Sequence, residues 1–523
     1  MGVPLNGLGG PYRDGVSLAQ SIRDSAGVPS SVTPGVDSGV TPGLDDAGEL
    51  DTASGDNTFN SIDDFNAVGS GTEEDPYVVS NIDGERCQFA NDFTGTYIKF
   101  FNCRFKDGTN FECNVQSSFR GTLIFENCEF SDTVGSGAQQ FFISAPVTMQ
   151  FNKCLFKGSL TSGRIFGIYF ASMASSSIVN LEFTDCLIDD TAGTWSTTQD
   201  FIDNTTNNSG QLNITMLRCD FDITKGQGQY VIEARGGDTV TPNIQYCTFD
   251  GFDAVINTQN ATDVDIDGLI FRYNTVVDSN RESIAGFGYK NGEISYSDFT
   301  HNASYGGADR LIFLQAHSSN ISGTHPTDMD VHHCKFTKKS GTADAAGNEC
   351  LESESGENVK FRHNWVTECT EDAFEHIYPY DGCTVEYCVA DNCEGQVVDI
   401  YKMTDTGFTQ ITSANNLSGA RSTKTYVHHI YGDCNDMGVV LDAVKGVIAH
   451  DIEIDNTGGA SGDAVVEIRT RDTVNARDVY VAGPLSTDAQ SQATAGQTSI
   501  DATANDCEIR YIAESGNLVT VTP

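Results

Sequence analysis

Five short apolar segments in the C-terminal third carry an acid at a common place: CLESE (350–354), FEHI (374–377), VVDIY (397–401), VLDAV (440–444) and VVEIR (465–469). Superposed on their apolar pairs and read as strands, they turn Leu351, Phe374, Val398, Leu441 and Val466 inward. Glu352, Glu375, Asp399, Asp442 and Glu467 then form an outward file. Asp203 in FIDN, Glu233 in VIEAR and Asn257 in VINT offer the same place earlier in the chain. Strands stacked about 4.8 Å apart would set neighbouring carboxylates at about 5 Å and alternate ones at about 9.6 Å. The first spacing suits retaining glycoside hydrolysis or a shared calcium ion, and the second lies near the upper edge for inverting hydrolysis.

This pattern makes Glu375, Asp399 and Asp442, with His376 and Arg469 beside them, the candidate catalytic residues. Glu352, Glu375, Asp399, Tyr401, Asp442 and Glu467 are the candidate glycan or ligand contacts, and Glu352, Asp399 and Asp442 the candidate calcium ligands. Lys402 and Arg471 stand close by. No cofactor is required, and calcium is the one candidate ion. Acids on exposed strands are also what a very acidic surface supplies, so salt adaptation competes with binding and with catalysis. Alternation turns His376 inward, where it is either a general acid-base group or a hydrogen-bonded core residue. His332, His333, His428 and His429 fall at variable positions of a recurring turn, which reads as a solvated corner or as a metal site.

The elements that must position these side chains come from a repeat. An apolar residue, two variable residues, Cys or Asn, one variable residue and another apolar recur in FFNCRF (100–105), FENCEF (125–130), FNKCLF (151–156) and eight further copies. The central residues are Cys103, Cys128, Cys154, Cys186, Cys219, Cys247, Asn274, Ser297, Cys334, Asn364 and Cys388, mostly 23 to 37 residues apart. That period is one coil of a β-solenoid. The upstream apolar sits at −3 rather than −2, so a corner intervenes, and the small central side chains stack inside it as a structural ladder. Such a ladder needs no disulfides, although Cys383, Cys388 and Cys393 form one cluster that could pair or bind metal. After about residue 395 the ladder drifts through Ile430, His450, Arg477 and Cys507, which predicts irregular coils.

With this repeat, and with the opening segment GSGTEEDPYVVS (69–80), the chain resembles the pectin-lyase-like superfamily over roughly residues 70–515. The resemblance implies an all-β fold, a single-stranded right-handed parallel β-helix. It also implies dealings with glycans, since that superfamily holds polysaccharide lyases, glycoside hydrolases, pectin methylesterases and viral tailspikes. The polygalacturonase signature of paired Asp and a Gly-His-Gly turn is not found, and the lyase arginine motifs have no match. Residues 1–68, rich in Gly, Pro, Ser and Asp with one helical stretch at 16–26, read as an anchoring arm. Residues 69–515 read as the β-helix and 516–523 as a tail.

Asp and Glu total 73 against 30 Lys and Arg, a formal charge of −43. Self-repulsion of that size is relieved where molar salt shortens the Debye length to about 3 Å, which points to a halophilic source. The same charge excludes nucleic acid as a partner. The longest apolar runs, such as IFGIYF (165–170), fall short of the roughly 18 residues a bilayer requires, and MGVPLNGLGGPYRDG shows neither export signal. The expectation is a virion surface protein of tailspike, fibre or turret type from a virus of a halophilic host. It would attach to cell-surface glycans and dock on other virion subunits through residues 1–60. A homotrimer is favoured, by resemblance. An extracellular polysaccharide lyase or hydrolase, and a calcium-binding adhesion or surface-layer module, are the alternatives.

Overall fold

The structure, a computed structural model, describes residues 12–44 and, from Asp51 to the C-terminus, the strands and turns named below. Residues 1–11, 45–50, 402–424 and 483–497, with shorter stretches between strands, lie outside the description. The fold is all-β, a solenoid of parallel strands. Two compact units divide the chain: residues 30–293 with 299–325, and residues 1–29 with 294–298 and 326–523.

In the unit of residues 30–293, each regular coil has three strands, as in Thr122–Glu126, Glu129–Ser131 and Ala138–Ile143. The first strand alternates, so that Leu123 and Phe125 are buried while Thr122, Ile124 and Glu126 are less so. Pairing with the next coil keeps like over like: Phe100 over Phe125, over Phe151, over Phe183. These rings stack at 5.1, 5.0 and 5.0 Å, and Phe105, Phe130 and Phe156 form a second column at 5.2 and 4.9 Å. A one-residue slip would turn every ring to the outer face, so the columns fix the register.

Between the first two strands lies the corner. Its residue has left-handed backbone whatever its type: Asn102 (φ 54°), Asn127 (51°), Lys153 (50°), Asp185 (52°), Arg218 (51°), Tyr246 (57°) and Tyr273 (56°). Most of these side chains have no intrinsic liking for that region. What holds them there is the stack, because each corner N–H donates to a carbonyl of the following coil: Asn102 to Glu126, Asn127 to Asn152, Lys153 to Thr184. This extra residue is the reason for the −3 spacing.

The residue after each corner is the buried ladder. Cys154 Sγ donates to the Phe125 carbonyl of the coil before it at 3.4 Å, and Cys186 to that of Phe151 at 3.3 Å. Cys247 Sγ in turn accepts the Cys219 N–H at 3.4 Å. Asn274 makes the same two bonds, donating through Nδ2 to the Ile244 carbonyl (2.9 Å) and accepting the Cys247 N–H on Oδ1 (2.8 Å). Cys and Asn share the column because both can give and take one hydrogen bond along it.

In the unit of residues 326–523 the corners continue at His333, His363, Tyr387, His429 and Asp451, all with φ between 52° and 54°. Beyond residue 395 some of the described strands pair evenly: Thr425–Cys434 is in register with Val447–Asn456. The ladder passes from Cys388 to Ile430 and then to Ile452, not His450. Arg477 and Cys507 lie off it, since Cys507 pairs with Val479 and Arg477 with Asn505. The cysteine cluster also separates. Cys388 belongs to the ladder, Cys393 to a second column with Cys369 and Cys434, and Cys383 donates to the Gly356 carbonyl at 3.1 Å. Two boundaries move. Parallel pairing begins at Asp51–Thr52 with Ile82–Asp83, upstream of residue 69, and Leu518–Val521 is an antiparallel strand on Ile509–Ile512 rather than a free tail.

Residues 18–44 of the arm lie on the chain's own coils. The helix Tyr12–Ser25 buries Ala19 and Ile22 against Val389 and Tyr431, with Leu18, Trp365 and Tyr387 around them. Arg23 closes the contact with two hydrogen bonds to Asp391, at 2.8 and 2.7 Å. Beyond the helix, Gly27 N–H donates to the corner carbonyl of His333. Among residues 30–293, Gly35 does so to Tyr246 and Gly43 to Lys153, three corners away. Gly27, Gly35 and Gly43 are spaced eight residues apart in GVPSSVTP-GVDSGVTP-GLDD, a repeat that the sequence reading missed. Gly35 has φ 94°, and a Cβ there would run into the Asp220 carboxylate that accepts the Val36 N–H, so both the backbone angle and the space demand glycine.

Candidate functional site

The acid file is built by the third strands of the coils between Leu351 and Arg469. Parallel register brings Glu352 beside Glu375 and Glu375 beside Asp399. The next place is Val440, followed by Glu467. Asp442 therefore leaves the file: it pairs with Tyr401 and Arg469, two residues further along the same face. VVLD and VVDI look alike in sequence, but Val398 pairs with Val439, so the acid arrives one alternation late. Tyr401 is in its strand, while its side chain, like Lys402 and Arg471, lies outside the described residues.

These acids are not exposed, as an acidic surface would have them. Glu352 is 1 % exposed, Glu375 2 %, Asp442 3 % and Asp399 9 %. Two acids that the sequence reading passed over join them: Glu349 and Asp372, each three residues before a file member. The repeated spacing of acid, two residues, Glu in 349–352 and 372–375 was the available signal. Oxygens of Glu349, Glu352 and Glu375 lie within 4.8 Å of one another, as do oxygens of Asp372, Glu375 and Asp399. Glu375 belongs to both groups, and its Oε2 is buried with no hydrogen-bond partner among the described residues. Burial, then the field of Glu352, pushes its carboxyl well above the usual range; burial and Asp399 do the same to Asp372. Asp372 also accepts the Gln396 N–H at 2.7 Å.

Arg469 is placed at the end of this face, bound to Glu467 at 2.6 Å. Burial opposes its charge, but the Glu467 hydrogen bond and the fields of Glu467, Asp442 and Asp399 outweigh that and raise its pKa. His376 is turned to the other side of the strand. It is fully buried, its ring stacked on Phe361 at 4.6 Å and 7°, with Nε2–H directed to the Thr384 carbonyl at 3.3 Å. Burial pushes it down to about 4, so it stays neutral at ordinary pH and faces away from the acids.

The earlier acids are also in register, Asp203 with Glu233 and Glu233 with Asn257. There, however, cations are built in. Arg164 meets Asp203 at 2.7 Å, and Arg235 pairs with Glu233 and lies 3.6 Å from Asp200. Burial moves Asp203 up to about 6 against the pull of both arginines. The all-oxygen donor sets around Glu375 fit a hard cation, and acidic groups here could hold a metal ion.

The histidines stack at the corners. Tyr296, His333, His363, Tyr387 and His429 form a ring column with successive centroids at 4.8, 4.7, 4.9 and 4.4 Å. Burial and the neighbouring histidines push His333 down to about 4. These corners are half-buried stacks rather than solvated turns.

No protein-family model matches the chain, and no curated protein and no solved structure does. Among the described residues, no helix is long and apolar enough to cross a membrane.

Proposed function

We propose that this chain is an attachment protein of the virion-spike type, with a solenoid stapled by calcium at the acid file and an outer strand face that recognises glycans without cleaving them. The burial of Glu352, Glu375 and Asp399 carries this reading. A dehydrated ion can reach carboxylates that are nine-tenths covered, whereas a sugar ring cannot, and six to eight oxygens at about 2.3–2.6 Å are what calcium takes. The glycan face is argued from Tyr426, Ile448 and Tyr480. They are 38, 43 and 51 % exposed and follow one another in register, which sets two tyrosine rings on alternate coils, about 9.6 Å apart. That is close to the repeat of every second sugar in an extended chain. Display on a halophile's virus rests on the −43 charge and on the likeness to the pectin-lyase-like superfamily, as does a trimer.

The test is incubation of the full chain, in molar salt with calcium, with acidic cell-surface polysaccharides. Retention on the polysaccharide, lost in Tyr426→Ala with Tyr480→Ala, and no new reducing ends or unsaturated products, is the expected result. Cleavage abolished by Glu375→Gln or Asp399→Asn would replace it with the polysaccharide lyase or hydrolase reading, for which Arg469 beside the acids is the supporting observation.

A further inference from the structure

Two consecutive corners carry polar pairs that face each other. His428 lies in register with His450, and the corner residue His429 with the corner residue Asp451. Left-handed backbone at both corners sends two successive side chains to the same outer side, so the four form a square on the surface of adjacent coils. His428 and His450 stack at 4.9 Å and 2°. One Asp451 oxygen, Oδ2, stands 2.8 Å from His450 Nδ1 and 3.6 Å from His429 Nε2. In a tetrahedral site with bonds of about 2.0–2.2 Å, donor atoms are about 3.4 Å apart, so the first distance must open by about 0.6 Å and the second close by about 0.2 Å; all three donor atoms already lie within 4.8 Å of one another.

A hydrogen-bond chain sets which nitrogen of His429 is free to ligate. Glu386 Oε2 lies 2.9 Å from His428 Nε2, and a carboxylate can only accept, so that nitrogen carries the proton. In neutral His428 the lone pair is then on Nδ1, which lies 2.8 Å from His429 Nδ1. His429 must donate there, and its own lone pair falls on Nε2, aimed at Asp451. An outer hydrogen bond that fixes the tautomer of a ligand histidine is the usual support of a metal site, and here Glu386 acts on His429 through His428. We propose that His429 Nε2, His450 Nδ1 and Asp451 Oδ2 bind a borderline divalent cation of the zinc class, with Glu386 and His428 as positioning residues. The metal replaces the proton of His450 Nδ1, which leaves to solvent. The side chains remain 24 to 39 % exposed, so a fourth position stays open to water or to a donor from another molecule. Imidazole nitrogens select this class of metal over calcium, which separates the site chemically from the acid file.

The pair His332 and His333 provides the control. Their Nδ1 atoms are 2.9 Å apart in the same manner, but the next corner offers His363 rather than a carboxylate. Zinc chloride alone is titrated calorimetrically into metal-stripped full chain held in millimolar calcium. Expected is one zinc per chain, weakened at least about tenfold in His450→Gln and in Asp451→Asn, and unchanged in His333→Gln. Asn keeps the left-handed corner, so the Asp451 variant folds. Glu386→Gln should cost about 10- to 100-fold and shift the cobalt(II) visible spectrum if the tautomer chain is right. Equal affinity in wild type, His450→Gln and Asp451→Asn, no binding below millimolar zinc, or equal loss in His333→Gln would overturn the site. An unchanged Glu386→Gln would overturn the positioning role.

Discussion

The main-chain N–H of Cys247 is satisfied by a side chain one coil away, Asn274 Oδ1 at 2.8 Å, where the coil before uses Cys247 Sγ for the same purpose. Asn274→Cys is therefore expected to be nearly neutral. Asn274→Leu would leave the Cys247 N–H and the Ile244 carbonyl unpaired in a dry core and cost about 2–4 kcal/mol. Chemical denaturation of the two variants side by side checks this, and equal losses would refute the exchange.

Glu375 should give opposite signs with and without calcium. In chelator, Glu375→Gln removes a buried carboxyl crowded by Glu352 and Asp399, so the variant should melt higher than wild type. With calcium at a hundredfold over its dissociation constant, wild type should gain about 2.7 kcal/mol that the variant lacks. Thermal melts under both conditions read the crossing.

Two buried groups predict opposing pH slopes. For His376, folded near 4 against about 6.5 unfolded, the unfolded chain binds the extra proton, so stability falls as pH drops from about 6.5 to 4. For Asp203, folded near 6 against 3.8 unfolded, the folded chain holds the proton longer, so stability falls as pH rises through that interval. His376→Phe should flatten the first slope and Asp203→Asn the second, measured as melting temperature against pH.

The helix Tyr12–Ser25 should detach before the coils do. Ile22→Ala empties a place that is 1 % exposed and should cost the contact about 2–4 kcal/mol, whereas Arg23→Ala, at a partly exposed ion pair, should cost about 1 kcal/mol. Hydrogen exchange confined to residues 12–44, with the coil strands still protected, is the expected signature.

The fourteen cysteines whose side chains are described are buried thiols, and burial takes Cys388 up to about 12. Native protein should therefore resist thiol reagents at these positions at pH 8 and react on unfolding. Rapid modification of the ladder cysteines in the native state would contradict the packing.

What could be read from the sequence was what repeats with a fixed side-chain type. FFNCRF and its copies disclose corner and ladder together because in them a small side chain that both donates and accepts follows the bend, a mark that is lost where Ile430 and Ile452 take the same place. The corner residue itself was illegible: Asn, Lys, Asp, Arg, Tyr and His all occupy it, since the stack rather than the side chain enforces its φ. For the same reason the column of Tyr296, His333, His363, Tyr387 and His429 stayed hidden. Asp442 was misplaced because two valines precede it and alternation alone cannot choose between registers that differ by two. The burial of Glu352 and Glu375 was out of reach, because alternation tells which side of a strand a residue faces and not whether that side is covered.

The eight-residue glycine repeat of the arm also sets an order of events. Residues 18–44 are synthesised before the coils they rest on: Gly43 waits for Lys153, Gly35 for Tyr246, Gly27 for His333 and Arg23 for Asp391. The arm can thus fasten only from its C-terminal end backwards, one glycine for each batch of finished coils. A segment made before its coils is put away after them, and its helix seals only once residue 391 has been made.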